Sequence, residues 1–268
     1  MPKSTLTLVG ICLSFPLLVL LLATVTGMDS RAINLDAVLA GMGNGHLLGT
    51  DALGRDVLAR LSEGLQLSIM VGLVVVLFGG MVGIFIGTLA GWMGGWVDAL
   101  LMRIADIVLS FPGILLAIAL AAMLGPGVDN LVMALVVVGW VGFARLSRVQ
   151  VLSLKSSPFV EAAIANGSDV GYIAIRHLLP NIAAPLLVEA SFGLAAVVIG
   201  EAGLSFLGVG VQPPDASLGT MFREGTRLML VSPGLVIWPG LVLFSLVMAV
   251  NLLGDALRDK LDVRMESR

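Results

Sequence analysis

Charge is what this sequence has least of. Of 268 residues only 12% are Asp, Glu, Lys or Arg, against 58% hydrophobic, and the mean hydropathy is +1.05. A soluble domain carries about 25% charged residues. A core of this size cannot absorb so much apolar surface, so lipid is the expected solvent. The net charge of −3 leaves no electrostatic footprint for nucleic acid. A single cysteine, Cys12, excludes an internal disulfide framework and reads as a small packing residue in an apolar run. The three lysines, Lys3, Lys155 and Lys260, follow Pro2, Leu154 and Asp259. None can complete the Gly-Lys-Ser/Thr with which a P-loop holds phosphates. Any ATP hydrolysis must therefore belong to another chain.

What is present is a series of apolar runs, at about 6–26, 67–91, 105–124, 131–147, 182–211 and 231–254. Each is long enough, or nearly so, to cross roughly 30 Å of hydrocarbon at about 1.5 Å per residue. The expected fold is an all-α membrane protein with six transmembrane helices. The first run lacks a clean small-x-small cleavage site and is expected to stay as an anchor. Six crossings put both termini on one side. That side holds Lys3, Arg103, Arg145, Arg148, Lys155, Arg176, Arg258, Lys260, Arg264 and Arg268; the other holds Arg31, Arg55, Arg60, Arg223 and Arg227. The bias makes the first set cytoplasmic. His46 and His177 then fall on opposite sides of the membrane and cannot share a metal. Neither a metal site nor a catalytic constellation is expected, and His177 reads as a packing or capping residue.

Between the fourth and fifth runs the chain turns polar and punctuated: FVEAAIANGSDVGYIAIRHLLPN at 159–181. Ser157 and Pro158 can open a short helix, Gly167 suits a left-handed stop, and Ser168 or Asp169 can cap a second helix through about Leu178. Pro180 would start the next crossing. Ala162 and Ala163 leave one side without bulk. On spacing alone the segment is equally a plain connector.

The string Glu161-Ala162-Ala163, with Gly167 and then Leu179-Pro180, resembles the EAA loop of membrane subunits of binding-protein-dependent ABC importers. LLGTDALGRD at 47–56, GGWVDALLMRIAD at 94–106, FPGILLAIAL at 111–120, EAGLSFLGVGVQPP at 201–214 and NLLGDALRDKLD at 251–262 extend the likeness. Over about residues 46–263 the chain resembles the second permease subunit of the peptide/nickel group. The resemblance implies the type I ABC importer permease fold, with a permease domain over 65–254 and a coupling loop at 148–181. An anchor and extracytoplasmic segment at 1–64 precede it, and a cytoplasmic tail at 255–268 follows. It implies that Glu161, Ala162, Ala163, Gly167, Leu179 and Pro180 dock an ATPase. It also implies a homologous second permease, two ABC ATPase subunits that bind ATP and Mg, and an extracytoplasmic substrate-binding protein facing 28–64 and 212–230. No cofactor is expected on this chain itself, and its lipid setting would be the bacterial inner membrane. Cargo would be dipeptides, oligopeptides, nickel or a nickel chelate.

Inside the membrane, Gly79, Gly83, Gly87, Gly91 and Gly95 recur every fourth position, a spacing that lets helix backbones approach closely. They read as packing residues within or between permease subunits. Glu189 and Glu201 lie in the fifth run, where an acid costs about 2.5–3.5 kcal/mol at mid-membrane. Each is a candidate for lining the pathway, or is held by a neighbouring helix. Arg103 and Asp106 can pair at i,i+3, and Pro112 and Pro239 are expected to bend their helices. Val57, Leu58, Leu61 and Leu65 recur at helical spacing and read as a helix along the surface. The rival function is an ion-gradient-driven secondary transporter using Glu189 or Glu201 as proton carriers.

Overall fold

The computed structural model describes residues 3–43 and 45–266; Arg268, one of the expected tail charges, lies outside them. Among the described residues there is no β-strand, only two isolated bridges, Gly43 with His46 and Thr50 with Asp56. The helices are α1 Lys3–Thr26, α2 Val57–Met93, α3 Gly95–Leu109, α4 Gly113–Leu124, α5 Val128–Lys155, α6 Pro158–Ala165, α7 Val170–Ile173, α8 Leu179–Leu207, α9 Leu218–Thr226 and α10 Gly234–Glu266. The boundaries expected at 64/65 and 254/255 fall inside α2 and α10, so neither is a break in the structure.

Among the described residues five helical stretches are long and apolar enough to cross a membrane, and a bent pair of helices makes a sixth crossing if it is taken as one span. The expected third span, 105–124, is not one helix. It breaks at Ser110–Pro112, where α3 and α4 meet at 83°. Pro112 has no amide hydrogen and disfavours helix in the residue before it. Its own ψ of 123° is extended, and α4 restarts beyond it. Asp106, expected to pair with Arg103, instead reaches Arg145 of α5 at 2.6 Å, and Asp98 forms a two-pronged pair with Arg148. Both pairs tie α3 across the end of α5. Lys155 at that end also reaches Trp92 near the end of α2, its ammonium 5.5 Å from the ring centre.

α2 packs most extensively on α5, and the glycines explain why. A Cβ added at Gly79 would meet the Gly139 backbone at 3.4 Å; at Gly83, the Trp140 carbonyl at 2.2 Å; at Gly87, the Ala144 carbonyl at 2.1 Å; at Gly91, the Arg148 carbonyl at 2.9 Å. Four glycines thus form one close seam within the chain. Gly95 does not belong to it: no atom lies near its missing Cβ, and its φ of +55° serves the turn into α3.

The start of α2 corrects a second expectation. Val57, Leu58, Leu61 and Leu65 are at most 1% exposed. They are no surface helix but the first turns of α2, packed in one apolar cluster with Leu218 and Met221 of α9 and Val242 and Leu246 of α10. Asp56 caps the helix by accepting from the Ala59 amide at 2.8 Å, and His46 holds the other oxygen of Asp56 at 2.8 Å.

Candidate functional site

Two features stand apart from ordinary helix packing: a cavity among the crossings, and the polar elbow between α5 and α8. The cavity, about 370 Å³, is walled by α2, α4, α5 and α8. Val75, Ala117, Gly139, Gly142 and Gly193 typify its lining, and among the described residues Glu189 is the only polar side chain in it. The Glu189 carboxylate lies over Gly142, where an added Cβ would stand 2.3 Å from Oε1. The berth exists because Gly142 has no side chain.

Glu201, the other acid of α8, is not among the residues lining the cavity. It is fully buried. Ser68 of α2 donates to Oε2 at 2.6 Å and Ser205, one turn on, donates to Oε1 at 2.9 Å. Ser205 in turn accepts from the Val211 amide at 3.2 Å. Glu201 therefore staples α2, α8 and the following loop, with its oxygens satisfied by hydroxyl donors as a buried carboxylate requires.

The elbow follows from its local sequence. Pro158 occupies the first helical turn of α6, where its missing amide costs nothing. Ser157 sits at the N-cap position, but its hydroxyl donates back to the Leu154 carbonyl at 2.5 Å and caps nothing. α6 ends in a Schellman arrangement: the Ser168 amide reaches the Ala163 carbonyl at 3.1 Å and the Gly167 amide reaches Ile164 at 2.9 Å. Gly167 takes φ +77°, which a side chain would strain. Asp169 caps α7 through the Gly171 amide at 2.9 Å.

The helix so begun is not separate from the fifth crossing. Residues 174–178 form a π-helical stretch that runs straight into α8, giving one rod from Val170 to Leu207. Pro180 has no amide to give, and the π-stretch keeps the chain helical past it, with the Leu179 amide bonded five residues back to Ala174. Pro180 therefore lies inside that rod and does not start it.

The six residues expected to dock a partner do not share one exposure. Glu161, Ala162, Gly167 and Pro180 are exposed, Leu179 is half-buried, and Ala163 is buried with Val160 against α5 and the start of α8. Of the two alanines, one faces outward and the other inward. What the elbow presents outward includes Phe159, Tyr172 and Ile175, which is 70% exposed. His177 packs between the rings of Phe159 and Tyr172, at 6.2 and 5.7 Å between centres.

At the opposite end lies a charge lock that sequence reasoning missed. Asp51 receives Arg55 at 2.7 Å and also Arg60, and Glu224 of α9 receives Arg60 at 2.8 Å and Arg55 at 3.3 Å. Asp51, Arg55 and Arg60 are all buried. Burial works to raise the Asp51 carboxyl, but the Arg55 and Leu53 amides and the Arg55 and Arg60 guanidiniums outweigh it and hold it below the usual aspartate range. The i,i+4 spacing of Asp51 and Arg55 was visible in LLGTDALGRD; Glu224, some 170 residues away, was not.

Residues 83–267 match the family model described as the binding-protein-dependent transport system inner membrane component. The chain belongs to that family. It is 41% identical over 232 residues to the glutathione transport system permease protein GsiD of Pectobacterium atrosepticum, covering 87% of this chain and 77% of that one. It is 38% identical over 267 residues to the dipeptide transport system permease protein DppC of Alkalihalophilus pseudofirmus, covering 99% and 88%. A chain of the MetNI methionine ABC transporter, in an inward-facing conformation, shares the fold with TM-score 0.61 at 20% identity, over 75% of this chain and 95% of that one. The protein is thus a multi-pass membrane permease of an ABC importer, of the peptide/nickel group and with the type I fold. Its family implies ATPase and substrate-binding partners.

Proposed function

We propose that this permease carries di- or oligopeptides, glutathione-like peptides among them, across the bacterial inner membrane on a push delivered at the elbow of residues 157–180. The relatives named for dipeptide and glutathione transport support a peptide over nickel as cargo. In this reading the chain pairs with a homologous permease, two ATPase chains bind ATP and Mg, and a binding protein delivers cargo to the far face. Both termini and the elbow are cytoplasmic, in keeping with the Lys and Arg bias. The permease itself performs no chemistry and carries no cofactor.

The observation that carries the reading is the elbow's outer surface. Phe159, Tyr172 and Ile175 stand exposed beside Glu161, on a segment whose inner face is already satisfied by Val160 and Ala163. Exposed apolar groups with a polar rim mark interaction surfaces. A push there has a continuous route inward, because the helix from Val170 runs unbroken as far as Leu207 and carries Glu189 on the way. ATP-driven closure of the ATPase pair would tilt this rod and alternate access to the cavity.

Gly167→Val tests the docking role. Its φ of +77° makes any side chain strained, by about 1–2 kcal/mol, yet no atom lies within 4 Å to clash with it. The expected variant inserts and assembles normally, but cargo-stimulated ATP hydrolysis and uptake both fall. Normal uptake counts against the elbow as the docking element. Uptake that survives loss of the ATPase but collapses with the proton gradient counts against the importer mechanism itself.

A further inference from the structure

The cavity asks for a particular kind of ligand. At about 370 Å³ it sits at the small end of the range for small-molecule sites, roughly 300–1,000 Å³. Its walls are apolar or bare backbone except for the one carboxylate of Glu189. No donor among the described residues reaches that carboxylate. The cations nearest in sequence on the facing helix are already committed: Arg145, three residues after Gly142, holds Asp106, and Arg148 holds Asp98. An acid in apolar surroundings without a partner is costly. The carboxyl has no partner within the chain, and its ionised form is compensated only by a cation supplied from outside.

We propose that Glu189 is the recognition point for a free ammonium group on the cargo. This inference rests on the peptide-importer reading and deepens it. An α-ammonium is the one cationic feature every unblocked peptide shares, whatever its side chains. It is compact and offers three donors, which suits a single carboxylate. Gly139, Gly142, Gly193 and Gly200 leave the remaining walls without bulk, so the cavity reads one charge and accommodates varied side chains. The cargo carboxylate meets no cation on this wall, which orients the amino end toward α8. Selectivity in this chain is then for the amino terminus and not for the side chains.

The experiment uses the assembled complex of both permeases and ATPases in lipid nanodiscs, without the binding protein. It measures equilibrium binding of radiolabelled dialanine and N-acetyl-dialanine. The wild type is expected to favour the free amine by about tenfold or more, the scale of a lost charged hydrogen bond. Glu189→Gln should erase most of that preference, and Glu189→Asp should retain it. A preference that survives Glu189→Gln overturns the proposal. So does wild-type binding that does not distinguish the two peptides, including no binding of either. Dissociation of the permease pair in Glu189→Gln also overturns it, because the cation would then belong to the partner permease. ATP-dependent dialanine uptake by the wild-type complex with its binding protein separately tests the importer reading, so the two failures are distinguishable.

Discussion

Gly83→Ala should separate two helices that the fold needs in contact, and Gly80→Ala, one turn away, should not. An added methyl at Gly83 would lie 2.2 Å from the Trp140 carbonyl oxygen, 2.6 Å from the Phe143 Cβ and 3.0 Å from the Ala144 amide. Two of the three obstacles are backbone. To bring the worst contact out to 3.0 Å, α2 and α5 must part by about 0.8 Å, an overpacking strain of about 1–3 kcal/mol. At Gly80 the same methyl meets only Phe143 ring atoms, at 3.6 to 3.8 Å, which is ordinary contact. Both substitutions gain about 1 kcal/mol of helix propensity. Gly80→Ala should therefore be neutral or slightly stabilising, whereas Gly83→Ala should be a net loss of about 2 kcal/mol at the upper end of that strain. At roughly 2–4 °C per kcal/mol for chains near this size, the Gly83→Ala midpoint falls by about 4–8 °C. Tryptophan emission during a thermal ramp in detergent reads this, since Trp140 lies on the seam. Equal midpoints for the two variants would refute the seam.

The charge lock predicts a pH response. The Asp51 carboxyl lies below its ordinary value, so its stabilising contribution is complete above about pH 4, where the unfolded aspartate titrates, and is lost only as pH falls through the lower folded value. Limited proteolysis of segment 47–56 should stay flat down to about pH 4 and rise below it; release between pH 5 and 7 would contradict the lock. Glu201→Ala strips the acceptor from Ser68 and Ser205 and should cost about 1–3 kcal/mol for each orphaned hydroxyl. Glu201→Gln, which keeps one acceptor oxygen, should cost less. A Glu201→Ala protein as heat-stable as wild type would return Glu201 to the pathway.

Much of this was legible in the residues because the signals were local. Apolar run lengths located the crossings, and Pro158, Gly167 and Asp169 located the elbow, each through its own backbone requirement. The glycine spacing located the seam, though Gly95 showed that a period can outrun its contact. The misses share another cause. Residues 57–65 read as a surface helix because their apolar positions recur at helical spacing among charged residues. The Arg60 among them is buried and paired with Asp51 and with Glu224, and the Glu224 half of that pairing exists only after α9 folds over α2. The break in the third span was visible as Pro112, but its size, 83°, and the pairing of Asp98 and Asp106 with α5 were not.

The two acids of α8 mark the boundary between what periodicity can and cannot say. Glu189 and Glu201 are twelve residues apart, and at about 100° per residue that places them about 120° apart around the helix. That separation excludes neither from a single cavity, because Val197 and Ile199, about 160° apart around α8, both line the one observed. Which acid took which role was decided elsewhere in the chain. Serines 68 and 205 offer hydroxyls to one face, whereas Gly142 offers the other only an absence. A carboxylate met by donors becomes a structural joint. A carboxyl met by empty space has no partner within the chain, and in a wall otherwise without polarity it is the one feature left to meet a polar group on the cargo.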